Sequence, residues 1–230
     1  AAPTQVFEAT ISDSSDFFDM LASNLYKYQK LAVVREVWSN CVDAHRIVNS
    51  QKPIEVFISD SEMVFTDFGP GIPHAEMGKR YLSYGEGTKK NDANQIGGFG
   101  LGCKAPYSYT NQFTVESCHA GVKSIYSLMK RSSNGSGKPE CRLMVQLPTT
   151  ESGVTVRIPI NAYDSQTFTR LLQQVVYSGD FPTNLNNAKM KTVGMPFDTG
   201  VLQVIPYEFP IGHVKEYAIR YANVLYPLPE

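Results

Sequence analysis

"REVWSNCVDAH", residues 35 to 45, sets a carboxylate, an amide and a second carboxylate among apolar neighbours. On a helix, at about 100° per residue, Glu36, Asn40 and Asp43 fall within roughly 60° of one another, while Val34, Val37, Trp38, Cys41, Val42 and Val48 take the other side. One face packs and the other presents oxygen and amide groups. An exposed polar face would mix lysines with glutamates, whereas this stripe holds acids and an amide only. Such a set can hold a divalent cation through a neutral oxygen and activate water through a carboxylate.

Two glycine-bearing segments supply what such a stripe would face. In "DFGPG", Asp67 to Gly71, a strand breaks at a carboxylate, and Gly69 and Gly71 let the backbone approach a flat ring. The plainer reading of Asp67 is a turn residue capping Gly69. In "GGFGLGCK", Gly97 to Lys104, the absence of side chains at four positions lets successive backbone N–H groups converge on an anion. Lys104-Ala105-Pro106 reads as the start of a helix, with proline suited to its first turn and an amino terminus that favours negative charge. A tight structural turn is the alternative.

Three familiar signatures do not fit. "DFG" at 67 to 69 matches the metal-binding triad of protein kinases, but it precedes the glycine-rich segment and no H-R-D follows. A Walker loop would need lysine at the position of Cys103, and Lys104 comes one residue late. Gly98, Gly100 and Gly102 are spaced G-x-G-x-G, outside any strand-helix-strand unit, so a dinucleotide fingerprint fails as well.

The order E-x-x-x-N-x-x-D, then D-x-G-x-G, then G-x-x-G-x-G resembles the ATP site of the gyrase, heat-shock chaperone, histidine kinase and MutL superfamily, the Bergerat fold. "AVVREVWSNCVDAH", "DFGPGI" and "GGFGLGCKAPYSYT" look more specifically like the amino-terminal region of the phage rIIA-type lysis-inhibition proteins. That likeness spans about residues 10 to 165 and departs at Cys41 and Cys103, where small residues are more usual. Neither change removes a ligand group.

The resemblance implies ATP and Mg²⁺ as ligands, with Asn40 on the metal and Glu36 as base for the attacking water. It places Asp43 and Ala44 at the wall beside the adenine. Asp67 becomes the acceptor for the adenine amino group, with Gly69 and Gly71 beside the ring. Gly97, Gly98, Phe99, Gly100, Leu101, Gly102 and Lys104 form the phosphate loop. "SGVTV" resembles the element that touches adenine through water, which makes Thr155 a candidate, though a β-branched residue suits any strand. The polar stretch from Gly78 to Gln95 reads as a lid, with Tyr84, Gly85, Thr88 and Lys89 able to reach phosphate on closure. Solvent is the plainer environment for Lys89 and Lys90.

These residues need a framework, and the pattern supplies one. Residues 4 to 11 alternate weakly as a strand, and a helix follows from Asp16 to Leu25. The motif helix spans Lys30 to Asn49 and stops at Gln51-Lys52-Pro53. "IEVFI" and "MVFT" form a hairpin, and 112–118, 122–130, 141–147 and 153–160 alternate as four strands. Residues 163 to 177 fit an amphipathic helix; strand "VLQVIPY" and a helix around "HVKEYAIRYANVLY" close the chain. The expected fold is α+β, a Bergerat-type two-layer sandwich with a mixed, largely antiparallel sheet. Residues 1–165 form its ATP-binding domain, and 166–230 a helical and strand extension or the start of a transducer-like second domain.

Composition agrees with such a domain. The 230 residues are 42% hydrophobic and 19% charged, as in soluble globular proteins. Twenty-one basic and twenty-two acidic side chains leave a net charge of -1, without the footprint of a nucleic-acid binder. Cys41, Cys103, Cys118 and Cys141 show no C-x-x-C spacing, which argues against a zinc site or a disulfide framework and for reduced thiols in a cytoplasm, the host's for a phage protein. No apolar run approaches the ~20 residues of a membrane span, and the first thirty residues lack a signal-peptide layout. Those thirty also contain no histidine to receive phosphate, so the expected activity is slow ATP hydrolysis coupled to lid closure rather than histidine kinase chemistry. An ATP-gated interaction or dimerisation module with little turnover is the alternative. A nucleotide-dependent homodimer fits either reading, and the protein partner is not legible.

Overall fold

The computed structural model describes residues 6–8, 28–82, 102–131, 139–192, 218–221 and 224–227. Among them one large mixed sheet carries helices on a single face. Its strands are β1 (Val6–Glu8), β2 (Ile54–Ile58), β3 (Glu62–Thr66), β4 (Gln112–His119), β5 (Val122–Met129), β6 (Glu140–Pro148), β7 (Gly153–Pro159), β8 (Thr183–Leu185) and β9 (Ala188–Lys189). They lie in the order β1-β6-β5-β4-β7-β3-β2-β8-β9, and every pairing is antiparallel except β2 with β8. This is the α+β sandwich with a mixed, largely antiparallel sheet that the sequence predicts.

Register follows from alternation. Phe113 and Val115 of β4, Val154, Val156 and Ile158 of β7, and Met63 and Phe65 of β3 join one buried cluster, so their odd-numbered or even-numbered partners face away. The cluster is covered by α1 (Gln29–Ile47), α2 (His74–Leu82) and α3 (Ser165–Gly179). From α1 it takes Val33, Val34, Val37, Trp38, Cys41 and Val42. Val48, expected on that side, is the C-cap and is 44% exposed. The helix ends earlier than its proline signal: Asn49 takes φ 51°, and the Ser50 N–H closes on the His45 carbonyl at 2.9 Å.

Residues 166–192 belong to this same layer. Phe168, Leu172 and Val176 of α3 are fully buried in the shared core, and β8 extends the sheet beyond β2. The Trp38 indole N–H donates to Thr183 Oγ1 at 3.0 Å, tying α1 to β8. The expected helix around "HVKEYAIRYANVLY" is corrected: β10 (Ala218–Tyr221) and β11 (Val224–Pro227) pair antiparallel. Their aromatic and β-branched residues satisfy strand preference as readily as a helical period. The helix expected over 16–25 and the strand "VLQVIPY" lie outside the described residues.

Candidate functional site

The turn from Asp67 to Ile72 is held at nearly every peptide. Asp67 N–H donates to the Val154 carbonyl at 2.9 Å, and Phe68 N–H donates to His45 Nε2 at 2.9 Å. Asp67 Oδ1 accepts from Gly69 N–H at 2.9 Å and Val154 N–H at 3.2 Å. Ser152 Oγ donates to the Gly69 carbonyl at 2.6 Å, and His119 Nδ1 donates to the Pro70 carbonyl at 2.8 Å. Ser117 Oγ accepts from Ile72 N–H and donates back to the Ile72 carbonyl. Seven hydrogen bonds from the side chains of His45, Asp67, Ser117, His119 and Ser152 engage five of its six residues and make this turn rigid.

Asp67 is 5% exposed. Burial raises its carboxyl to about 7, against the opposing pull of the Gly69 and Val154 amides and the Arg80 charge. Its Oδ2 makes no hydrogen bond among the described residues, which leaves one acceptor of a buried carboxyl for something else. The turn-capping reading and the ligand reading of Asp67 are therefore compatible, one oxygen each.

Helix α1 lies against this turn and against the end of the glycine-rich segment. A Cβ on Gly69 would stand 2.6 Å from Ala44 Cβ and 2.9 Å from its carbonyl oxygen. On Gly102 it would stand 2.9 Å from Glu36 Oε2 and 3.7 Å from both terminal atoms of the Asn40 amide. Helix and loops thus approach as closely as glycine alone permits. Gly71, at φ +73°, is closed to side chains by the Cys118 carbonyl. Along α1 the eight helical steps from Glu36 to Ala44 span about 12 Å, the order of length between the two ends of an extended nucleotide.

The polar stripe is partly committed. Arg35 Nη2 and Nε donate to Glu36 Oε1 at 2.9 and 3.1 Å, which leaves Oε2 toward Gly102. Asp43 is 8% exposed, and its Oδ1 lies 3.6 Å from Arg46 Nη1. Lys104 lies in a 3-10 helix, Gly102–Ser108, rather than opening an α-helix, and burial lowers its ammonium pKa. With seven residues this element offers a weaker dipole than the sequence implies.

Thr155 is not brought into the cleft. It alternates with the core residues Val154 and Val156, and its Oγ1 lies 3.0 Å from Thr66 Oγ1 on the helix-free face of the sheet. The residues of "SGVTV" that reach Asp67 are Gly153, where a Cβ would stand 2.1 Å from the Asp67 carbonyl oxygen, and Val154, through its backbone. Gly97, Gly98, Phe99, Gly100, Leu101, Tyr84 and Thr88 lie outside the described residues. Reading the sequence missed His45, Ser117, His119 and Ser152, which hold the turn. Ser117 carries a signal, a hydroxyl at an inward position of a strand otherwise lined by Phe113 and Val115; the other three carry none.

The donor set suits magnesium better than a transition metal. Among the described residues no group of three His, Cys, Asp or Glu side chains could hold a metal. The Asn40 amide oxygen would fit a hard cation completed by phosphate and water oxygens.

No curated protein matches the chain. The family model of the histidine kinase-, DNA gyrase B- and HSP90-like ATPases matches residues 28–153, which include α1, the Asp67 turn and the glycine-rich segment. With more than half of its length matched, and the helix and two turns of the cleft inside the match, this chain belongs to the histidine kinase-, DNA gyrase B- and HSP90-like ATPase family.

Proposed function

We propose that this chain binds ATP with Mg²⁺ in the cleft between α1 and the two glycine turns and hydrolyses it slowly. The observation that carries the reading is the approach of Gly102 to Glu36 Oε2 and the Asn40 amide, with the buried Asp67 using only Oδ1 in its hydrogen bonds among the described residues. The adenine amine donates to Asp67 Oδ2, and the phosphates lie at Gly102, with Gly97, Gly98 and Gly100 assigned to them on sequence grounds. Bound Mg²⁺ supplies charge neutralisation at the phosphates. Asn40 offers that ion its amide oxygen, and Glu36 Oε2 orients or deprotonates water. Family membership supports ATP binding in general terms.

The runner-up is an ATP-gated interaction module with little turnover. The Arg35 pair on Glu36 favours it, since it occupies one oxygen of the only base proposed. Steady-state phosphate release measured beside calorimetric ATP binding separates the two: binding with turnover supports the first reading, and binding alone supports the second. Light scattering with a non-hydrolysable analogue tests nucleotide-dependent dimerisation. The lid expected from Gly78 is corrected at its start, since residues 78–82 end α2 and bury Tyr81 and Leu82 in the core; residues 83–97 keep the lid role on sequence grounds, so the analogue with Mg²⁺ should slow their proteolysis. The rIIA-type likeness extends the proposal to a phage protein acting in the host cytoplasm. No helix among the described residues is long and apolar enough to cross a membrane.

A further inference from the structure

His45 stands on the last turn of α1 with none of its surface exposed. Its ring meets Phe181 edge-on at 5.4 Å and Phe68 at 6.0 Å. Nε2 accepts the Phe68 N–H, and that amide belongs to the peptide joining Asp67 to Phe68. On the other side of Asp67, its own N–H is held by the Val154 carbonyl. Fixing both peptides around one α-carbon fixes the direction in which its side chain leaves the backbone. We propose that His45 is a positioning residue for base recognition, aiming the Asp67 carboxylate by accepting the Phe68 amide proton on a neutral imidazole. This rests on the ATP reading above and goes beyond it, since His45 touches no nucleotide there.

The chemistry of the ring supports the role. Nε2 accepts only while it is unprotonated, so the proton of the neutral ring sits on Nδ1. Nδ1 is buried without a hydrogen-bond partner among the described residues. Burial lowers the imidazole pKa, the Lys52 carbonyl opposes this, and the Lys52 charge adds to the lowering. Lys52 Nζ also lies 5.2 Å from the centre of the Phe68 ring. An apolar cage with a nearby cation keeps the ring neutral and the acceptor available. A histidine kept only for packing could be replaced by any side chain of its volume.

Two substitutions separate acceptor from volume. His45→Gln brings an amide oxygen near the place of Nε2; His45→Leu leaves the Phe68 N–H unpaired in the core. Binding of ADP and of inosine diphosphate, which lacks the 6-amino group, is measured by calorimetry on the folded variants. His45→Leu should weaken ADP by at least ~10-fold and inosine diphosphate little, and His45→Gln should bind ADP within about threefold of the parent. Equal weakening of both ligands, or equal loss in both variants, overturns the proposal. Imidazole ¹⁵N spectra of the parent give a check independent of folding: an unprotonated Nε2 is expected, and a proton there overturns the assignment. If the parent binds ADP but His45→Leu binds it equally, the proposal alone falls. A parent that binds no adenine nucleotide removes the ATP reading and the proposal with it.

Discussion

Asp67→Asn should weaken ATP binding and strengthen the fold, and the opposite signs are what make it informative. In the free protein burial raises the Asp67 carboxyl from 3.8 to about 7. The folded state therefore holds the proton more tightly than the unfolded chain, and stability falls as pH rises through that window. Roughly three tenfold steps in acidity, at about 1.4 kcal/mol each, put the cost of the ionised form near 4 kcal/mol above pH 8. Asparagine carries no charge, and its oxygen can keep the Gly69 and Val154 amide bonds. The variant should match the parent near pH 4 and exceed it by up to about 4 kcal/mol at pH 8 in denaturant titrations. Its Nδ2, however, points donors at the adenine amine. Leaving that pair unmade costs about 1–3 kcal/mol, or roughly 5- to 150-fold in ATP affinity by calorimetry. The parent's affinity should also decline below about pH 7 as Asp67 takes up its proton, and the variant's should not. Unchanged ATP affinity removes Asp67 from the adenine site. A variant less stable than the parent at pH 8 shows that the carboxylate serves the turn first.

Other perturbations test the rest of the cleft. Glu36→Ala should bind Mg-ATP nearly as the parent does yet lose hydrolysis by roughly 10²–10⁴-fold, whereas Asn40→Ala should lose magnesium-dependent binding; parental turnover in the first variant puts the base elsewhere. Gly102→Ala pushes against the Glu36 carboxylate, the movable end of a side chain, so melting should shift little while phosphate release falls. Gly69→Ala meets the Ala44 backbone as well as its methyl, so it should destabilise by about 1–3 kcal/mol, and Ala44→Gly should restore only part of that. Tyr109→Phe removes a hydroxyl that donates to Asp164 Oδ2 at 2.8 Å and accepts from Asn161 N–H at 3.0 Å; unfolding in denaturant should show a loss of about 1–3 kcal/mol.

Much of this cleft was legible because its parts are local. The helix of Glu36 and Asn40 announces itself by a 3.6-residue period, and β4 to β7 by alternation. Asp67, Gly69, Gly71 and Gly102 stand out by type, since carboxylates and glycines in an apolar strand-turn context have few other uses. Their mutual approach follows from the order of the motifs, and the structure sets Gly102 beside Glu36 and Asn40, and Gly69 beside Ala44.

What was not legible depends on parity and on distance along the chain. Thr155 stands two residues after a glycine, and a strand read from one end does not say which of its faces turns inward; only the register of Val156 against Val115 and Phe65 sends Thr155 to the far side. The parallel pairing of Ile54 with Thr183 joins residues more than a hundred positions apart, and no local pattern encodes it. His45 is the sharper case. At 100° per residue it falls opposite Glu36, on the packing side of α1, where a histidine reads as core. Its use becomes visible only when the Asp67 turn, twenty-two residues later, folds over the end of that helix and presents an amide that needs an acceptor. A buried amide left unpaired costs about 1–3 kcal/mol, so a turn that must be rigid at that point requires a partner from a neighbouring element. The pressure that places His45 therefore originates in the turn, not in the helix that carries it.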